Sequence, residues 1–240
     1  MLLVRESGTT AAKPPNVVGM DDMLLQVYRS QVKSQCEFAL IAARDLNEAL
    51  VTNNRAFQLM RELPKKGDGD SPDMAEIMRI ADQKSASSAE MHAVRDRIWF
   101  SLNAFLNAVA NVSKLLWPAP KRRTAKEFPN RGEELRGSLG VAEDSPLQYR
   151  TVRNHFEHID ERIEEWWLKS ERHNIASRMI GPLGKAIQGL EQNELFEQFD
   201  ADQLIAAFQG DVFELQPIMD DISALYESVC AAENARWRRG

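Results

Sequence analysis

The densest group of side chains able to do proton and phosphate chemistry in this sequence is Arg153-Asn154-His155-Phe156-Glu157-His158. Imidazole changes charge near neutral pH, so a histidine here could carry a proton through a reaction. A guanidinium presents a planar fork of donors that matches phosphate oxygens, which suits Arg153 to an anionic ligand. Elsewhere the chain offers less: it has no Gly-rich phosphate-cradling loop, no nucleophile elbow and no Cys-x-x-Cys pair. A di-iron helical bundle would need Glu-x-x-His pairs, and none of His92, His155, His158 or His173 has a Glu three residues before it. His155-x-x-His158 with Glu161 could touch one metal ion, but no further ligands accompany them, so no metal and no cofactor are expected.

These residues need an element to hold them. Val152, Phe156, Ile159, Ile163 and Trp166 recur at helical spacing, which predicts a helix from about 147 to 169 with that stripe facing the core. On it Arg153 stacks over Glu157 and Asn154 over His158, whereas Arg153 and His158 diverge by about 140°. Two readings follow. On a plain surface helix the residues form local pairs, Arg153 with Glu157 and His158 with Glu161 or Arg162, worth a few tenths of a kcal/mol each. A chemical site instead requires a kink, or a second copy of the helix from a symmetry mate.

Arg, then Asn, then a His five residues after the Arg resembles the R-(N/D/H)-x(3–5)-H signature of the HEPN superfamily, the higher eukaryotes and prokaryotes nucleotide-binding domains. The likeness extends over about 21–170 and does not reach 171–216. It implies a dimeric, metal-independent ribonuclease of the kind found in toxin and defence systems, in which two copies of the motif face each other. Arg153 would then stabilise charge on the scissile phosphate, His158 would shuttle a proton, and Asn154 would orient the His or the phosphate. Asp160 stands where the toxin subgroup paired with nucleotidyltransferases carries a Tyr, so control by modification of that Tyr is not expected. Glu157 and Asp160 also put negative charge beside the phosphate, as in a member that has lost catalysis.

The rest of the chain reads as long helices. Residues 1–20 carry breakers and no periodic apolar face, which predicts a flexible tail. Asp21-Asp22 opens one long helix or a bent pair running to Pro64, and 65–72 is a loop. A second long helix runs from Pro72-Asp73 to Trp117 with Ile98, Leu102, Phe105, Leu106, Val109, Val112 and Leu116 as its core stripe. Its far side bears Asn103, Asn107 and Asn111, uncharged where Lys and Glu are usual, which points either to a face covered by a helix or second subunit or to plain exposed amides. Residues 118–146 read as a basic, loop-like stretch. After 171 the texture changes: Leu204–Phe208 and Val212–Leu215 around Gln209-Gly210-Asp211 predict a β-hairpin, 174–180 offers a third strand, and Pro217 opens a last helix through Ile218, Ile222, Leu225 and Val229. The expected fold is mainly α: a tail at 1–20, an antiparallel HEPN-like helical bundle at 21–170, and a β-hairpin appendage with a C-terminal helix at 171–240.

Composition bounds the partners. With 240 residues, 43% hydrophobic, the chain can bury a core as one large or two small domains. A net charge of -6 excludes coating of nucleic acid by bulk electrostatics, so any RNA contact is local. Lys121, Arg122 and Arg123, with His155, are the residues placed to bind such a substrate. Cys36 and Cys230 sit in apolar helical stretches and read as reduced, buried thiols, which fits a cytoplasmic protein. No signal peptide and no membrane span are expected. The partners to expect are a second copy of the chain, RNA, and a protein such as an antitoxin. The alternative to a ribonuclease is a noncatalytic helical interaction module.

Overall fold

The computed structural model describes residues 19–62, 74–148, 159–183, 190 and 194–237. Helix α1 (Asp22–Glu62) starts where the sequence supplies a cap: Asp21 Oδ1 accepts the Leu24 N–H at 2.7 Å, satisfying one of the donors left open at a helix start. Its inner stripe, Val32, Cys36, Ala39, Leu46 and Ala49, is buried. Helix α2 (Met74–Leu116) buries Ile98, Leu102, Phe105, Leu106, Val109, Val112 and Leu116, as their spacing requires. The two helices make the most extensive packing in the molecule, bordered by Asn111 Nδ2 donating to Gln35 Oε1 at 3.1 Å and an Arg97–Glu48 ion pair at 3.2 Å.

The stretch 118–146 is not the uninterrupted loop expected from its charge. It contains α3 (Arg131–Leu139), which buries Leu135 and Leu139 one turn apart and ends on Gly140 in the left-handed conformation, φ 70°. A helix this short, with only two inward leucines, leaves little periodic signal. Its arginines close the end of α2: Arg131 donates to the Lys114 carbonyl at 3.3 Å and Arg136 to the Leu116 carbonyl at 2.6 Å, two acceptors that a helix C-terminus leaves without partners. Gly132 lies so close to that terminus that a Cβ there would sit 2.6 Å from Pro118 Cδ and 2.7 Å from the Leu116 oxygen. A 3-10 turn (Pro146–Gln148) then buries Leu147.

The C-terminal part carries more strand than a hairpin. Strands β1 (Met179–Ile180), β2 (Glu197–Asp200), β3 (Ile205–Phe208) and β4 (Asp211–Glu214) form one sheet in that order, β1 parallel to β2 and the others antiparallel. The expected hairpin is β3–β4. Its two-residue turn is Gln209-Gly210, both at positive φ, 47° and 89°, and Asp211 already pairs with Phe208 in the ladder. Strand β2 reads Glu-Gln-Phe-Asp, without the apolar alternation that marks a strand. It forms because Phe199 pairs with Ala206, itself paired with Phe213, giving a buried row across three strands. Buried Gln198 is satisfied by donating to the Pro182 carbonyl at 2.8 Å.

Helix α5 (Leu215–Trp237) begins directly after β4, two residues before Pro217, and buries Ile218, Ile222, Leu225 and Val229. It packs on α1, where Lys33 Nζ meets Glu233 Oε2 at 2.8 Å. Trp99 of α2 meets Phe208 of β3 edge-on at 6.5 Å, so one continuous core joins the helices to the sheet. The fold is thus mainly helical with a small four-stranded sheet near the C-terminus. Among the described residues, no helix is long and apolar enough to cross a membrane.

Candidate functional site

Arg153, Asn154, His155 and His158 lie outside the described residues, as do Val152 and Phe156 of the stripe behind them. The chain is described again from helix α4 (Ile159–Lys169). The expected core contact of this helix is not made. Ile159 is 43% and Ile163 47% exposed, and no residue of α4 is buried. Polar contacts hold it instead: Arg162 pairs with Asp211 at 2.9 Å, and Gln209 Nε2 donates to the Arg162 carbonyl at 3.1 Å. These anchors fix the flank of the helix about 60° from Ile159 to the β3–β4 turn and leave Ile159 and Ile163 exposed, while Trp166 of the same stripe is half-buried. Arg162 therefore engages the sheet.

Of the proposed phosphate-binding residues, Lys121 and Arg123 are exposed and Arg122 is not free. The Arg122 guanidinium donates to the carbonyls of Ala119 (3.3 Å) and Phe128, so it fastens its own loop. With Arg131 and Arg136 committed to the end of α2, the exposed basic residues of the stretch are Lys121, Arg123 and Lys126. Arg136 also lies over the Trp117 ring at 5.2 Å. Three of the stretch's six basic residues, Arg122, Arg131 and Arg136, thus donate to backbone carbonyls.

A cavity of about 390 Å³ opens beside the 3-10 turn, lined among others by Val141, Asp144, Ser145, Leu147, Asp221 and Leu225. Ser145 Oγ donates to Asp221 Oδ2 at 2.6 Å. Two carboxylates in its wall disfavour a phosphate there. Among the described residues, no group of three or more His, Cys, Asp or Glu side chains is placed to hold a metal ion. The cysteines lie on α1 and α5, the helices that Tyr226 also links by donating to Glu37 at 3.4 Å. Burial, then the neighbouring Cys230 and Glu37, pushes the Cys36 thiol up to about 12, so it stays protonated and unreactive at neutral pH. Cys230 is half-buried rather than fully enclosed.

Sequence reasoning missed an aromatic cluster at the end of α4. His173 stacks on Trp167 with ring centroids 3.9 Å apart, and Trp166 Nε1 donates to the Asn174 carbonyl at 3.1 Å. His173 takes φ 51°, a costly conformation for a non-glycine residue, with its N–H bonded to Ser170 Oγ at 3.0 Å. The adjacent Trp166-Trp167 pair was the available signal, since two neighbouring tryptophans on one helix cannot both point at the core. The sequence matches no protein-family model, and no curated protein or solved structure matches it.

Proposed function

We propose that this chain is a HEPN-like, metal-independent ribonuclease acting as a homodimer. The observation that carries the reading is the Arg153-Asn154-x3-His158 pattern in the sequence just before the surface helix α4. Attack by an RNA 2′-hydroxyl on its own phosphate needs a proton acceptor and a charge-stabilising cation, and the motif supplies both types. An antiparallel helical bundle is the frame that goes with it. In support, the pairs Gln35–Asn111 and Glu48–Arg97 advance along α1 while retreating along α2.

Purified protein should cleave a single-stranded RNA at neutral pH equally well with and without EDTA. RNA binding should weaken with salt: three exposed cations at about -0.7 each give a slope of about -2 in log K against log salt. Intact RNA after prolonged incubation would remove the proposal.

The dimer has its own support. Asn107 and Asn111 are exposed, and Phe100 on the same side of α2 is 74% exposed. Light scattering at micromolar concentration should give twice the monomer mass; a monomer would count against the composite site. A noncatalytic interaction module is the second reading, favoured by the outward apolar stripe of α4.

A further inference from the structure

We infer that the outer face of α4, together with the turn at 173–175, is a docking surface for a partner protein's amphipathic helix whose apolar side is bordered by Lys or Arg. This surface adjoins the proposed RNA site, since Ile159 follows His158 directly, but the inference does not depend on RNA cleavage. Ile159, Ile163 and Trp167 lie within about a third of the helix circumference, and Trp167 is 57% exposed. The chain folds back to extend them. The Trp166–Asn174 bond and the Trp167–His173 stack hold the turn against the end of the helix, and Ile175, next in sequence to Asn174, is half exposed. The rings are thus fixed before any partner arrives, at the expense of a strained backbone at His173. A rigid, exposed tryptophan among aliphatic side chains is the usual form of an energetic anchor at protein interfaces.

Charge identifies the partner. Each Lys or Arg of 159–175 is taken up inside the chain: Arg162 by Asp211 (2.9 Å), Lys169 by Glu165 (3.0 Å) and Arg172 by buried Glu194 (2.7 Å). Asp160, Glu164 and Glu171 remain exposed. On the helical projection Asp160 and Glu164 follow directly beside Trp167, along the edge of the stripe away from the sheet. The rim is therefore negative, which favours a basic partner and repels an anionic membrane.

The test uses the full chain and two designed helical peptides, each with a leucine face, one bordered by lysines and the other by glutamates. The lysine-bordered peptide should bind in the micromolar range with a change in tryptophan fluorescence, and the glutamate-bordered peptide at least about tenfold more weakly. Ile163→Glu and Trp167→Ala should each weaken binding by about tenfold or more, with circular dichroism unchanged because both side chains are exposed. Asp160→Lys with Glu164→Lys should invert the preference between peptides. Equal binding of both peptides, or full binding by the Ile163 variant, overturns the inference. So does loss of self-association in the Ile163 variant, which would give the face to a second copy, or wild-type binding to phosphatidylcholine vesicles that Trp167→Ala abolishes, which would give it to a lipid surface.

Discussion

Replacing His158 with alanine should lower RNA cleavage by about 10²–10⁴-fold, the range that one positioned general acid or base contributes. A reaction that passes through a charged phosphate needs its proton moved in step, and a methyl side chain can do neither half of that transfer. Arg153→Ala should be at least as damaging, because no other cation of the motif could neutralise the developing charge. The comparison is of cleavage rates in EDTA at matched thermal midpoints. A His158 variant that cuts RNA as fast as the wild type would end the catalytic reading and leave the interaction module.

Gly132→Ala should destabilise the fold by roughly 2–4 kcal/mol, the scale of overpacking combined with lost caps. The added Cβ would stand 2.6 Å from Pro118 Cδ and 2.7 Å from the Leu116 oxygen. Neither is the mobile end of a long side chain. Helix α3 must then move off the end of α2, which loosens the bonds from Arg131 to Lys114 and from Arg136 to Leu116. Gly137 is the internal control: it lies on the same helix with nothing within 4 Å of its added Cβ, so Gly137→Ala should be neutral or slightly stabilising. Thermal unfolding followed by circular dichroism separates the two, and equal midpoints would show that the approach is not tight.

The legible parts of the fold were those with long periodicity. Apolar residues repeating at helical spacing over several turns marked α1, α2 and α5 as helical, though not whether α1 is one helix or a bent pair, and Gly210 between two apolar runs marked the hairpin. The illegible parts depend on partners distant in sequence. Glu197-Gln198-Phe199-Asp200 becomes a strand through Ala206 and through the carbonyl of Pro182. Arg122 looked like a phosphate ligand because composition cannot show the carbonyls of Ala119 and Phe128 that its own loop turns toward it. The α4 stripe misled for a different reason. Spacing shows that a face is apolar, but not whether the molecule's own core covers it.

The polar mooring of α4 divides the molecule into regions of unequal local stability. A helix with no buried residue, fastened through Arg162, Asp211 and Gln209, can open by breaking a few solvent-accessible bonds, whereas α5 opens only with the core. Amide hydrogens of α4 should therefore exchange with solvent through local openings that leave those of α5 protected.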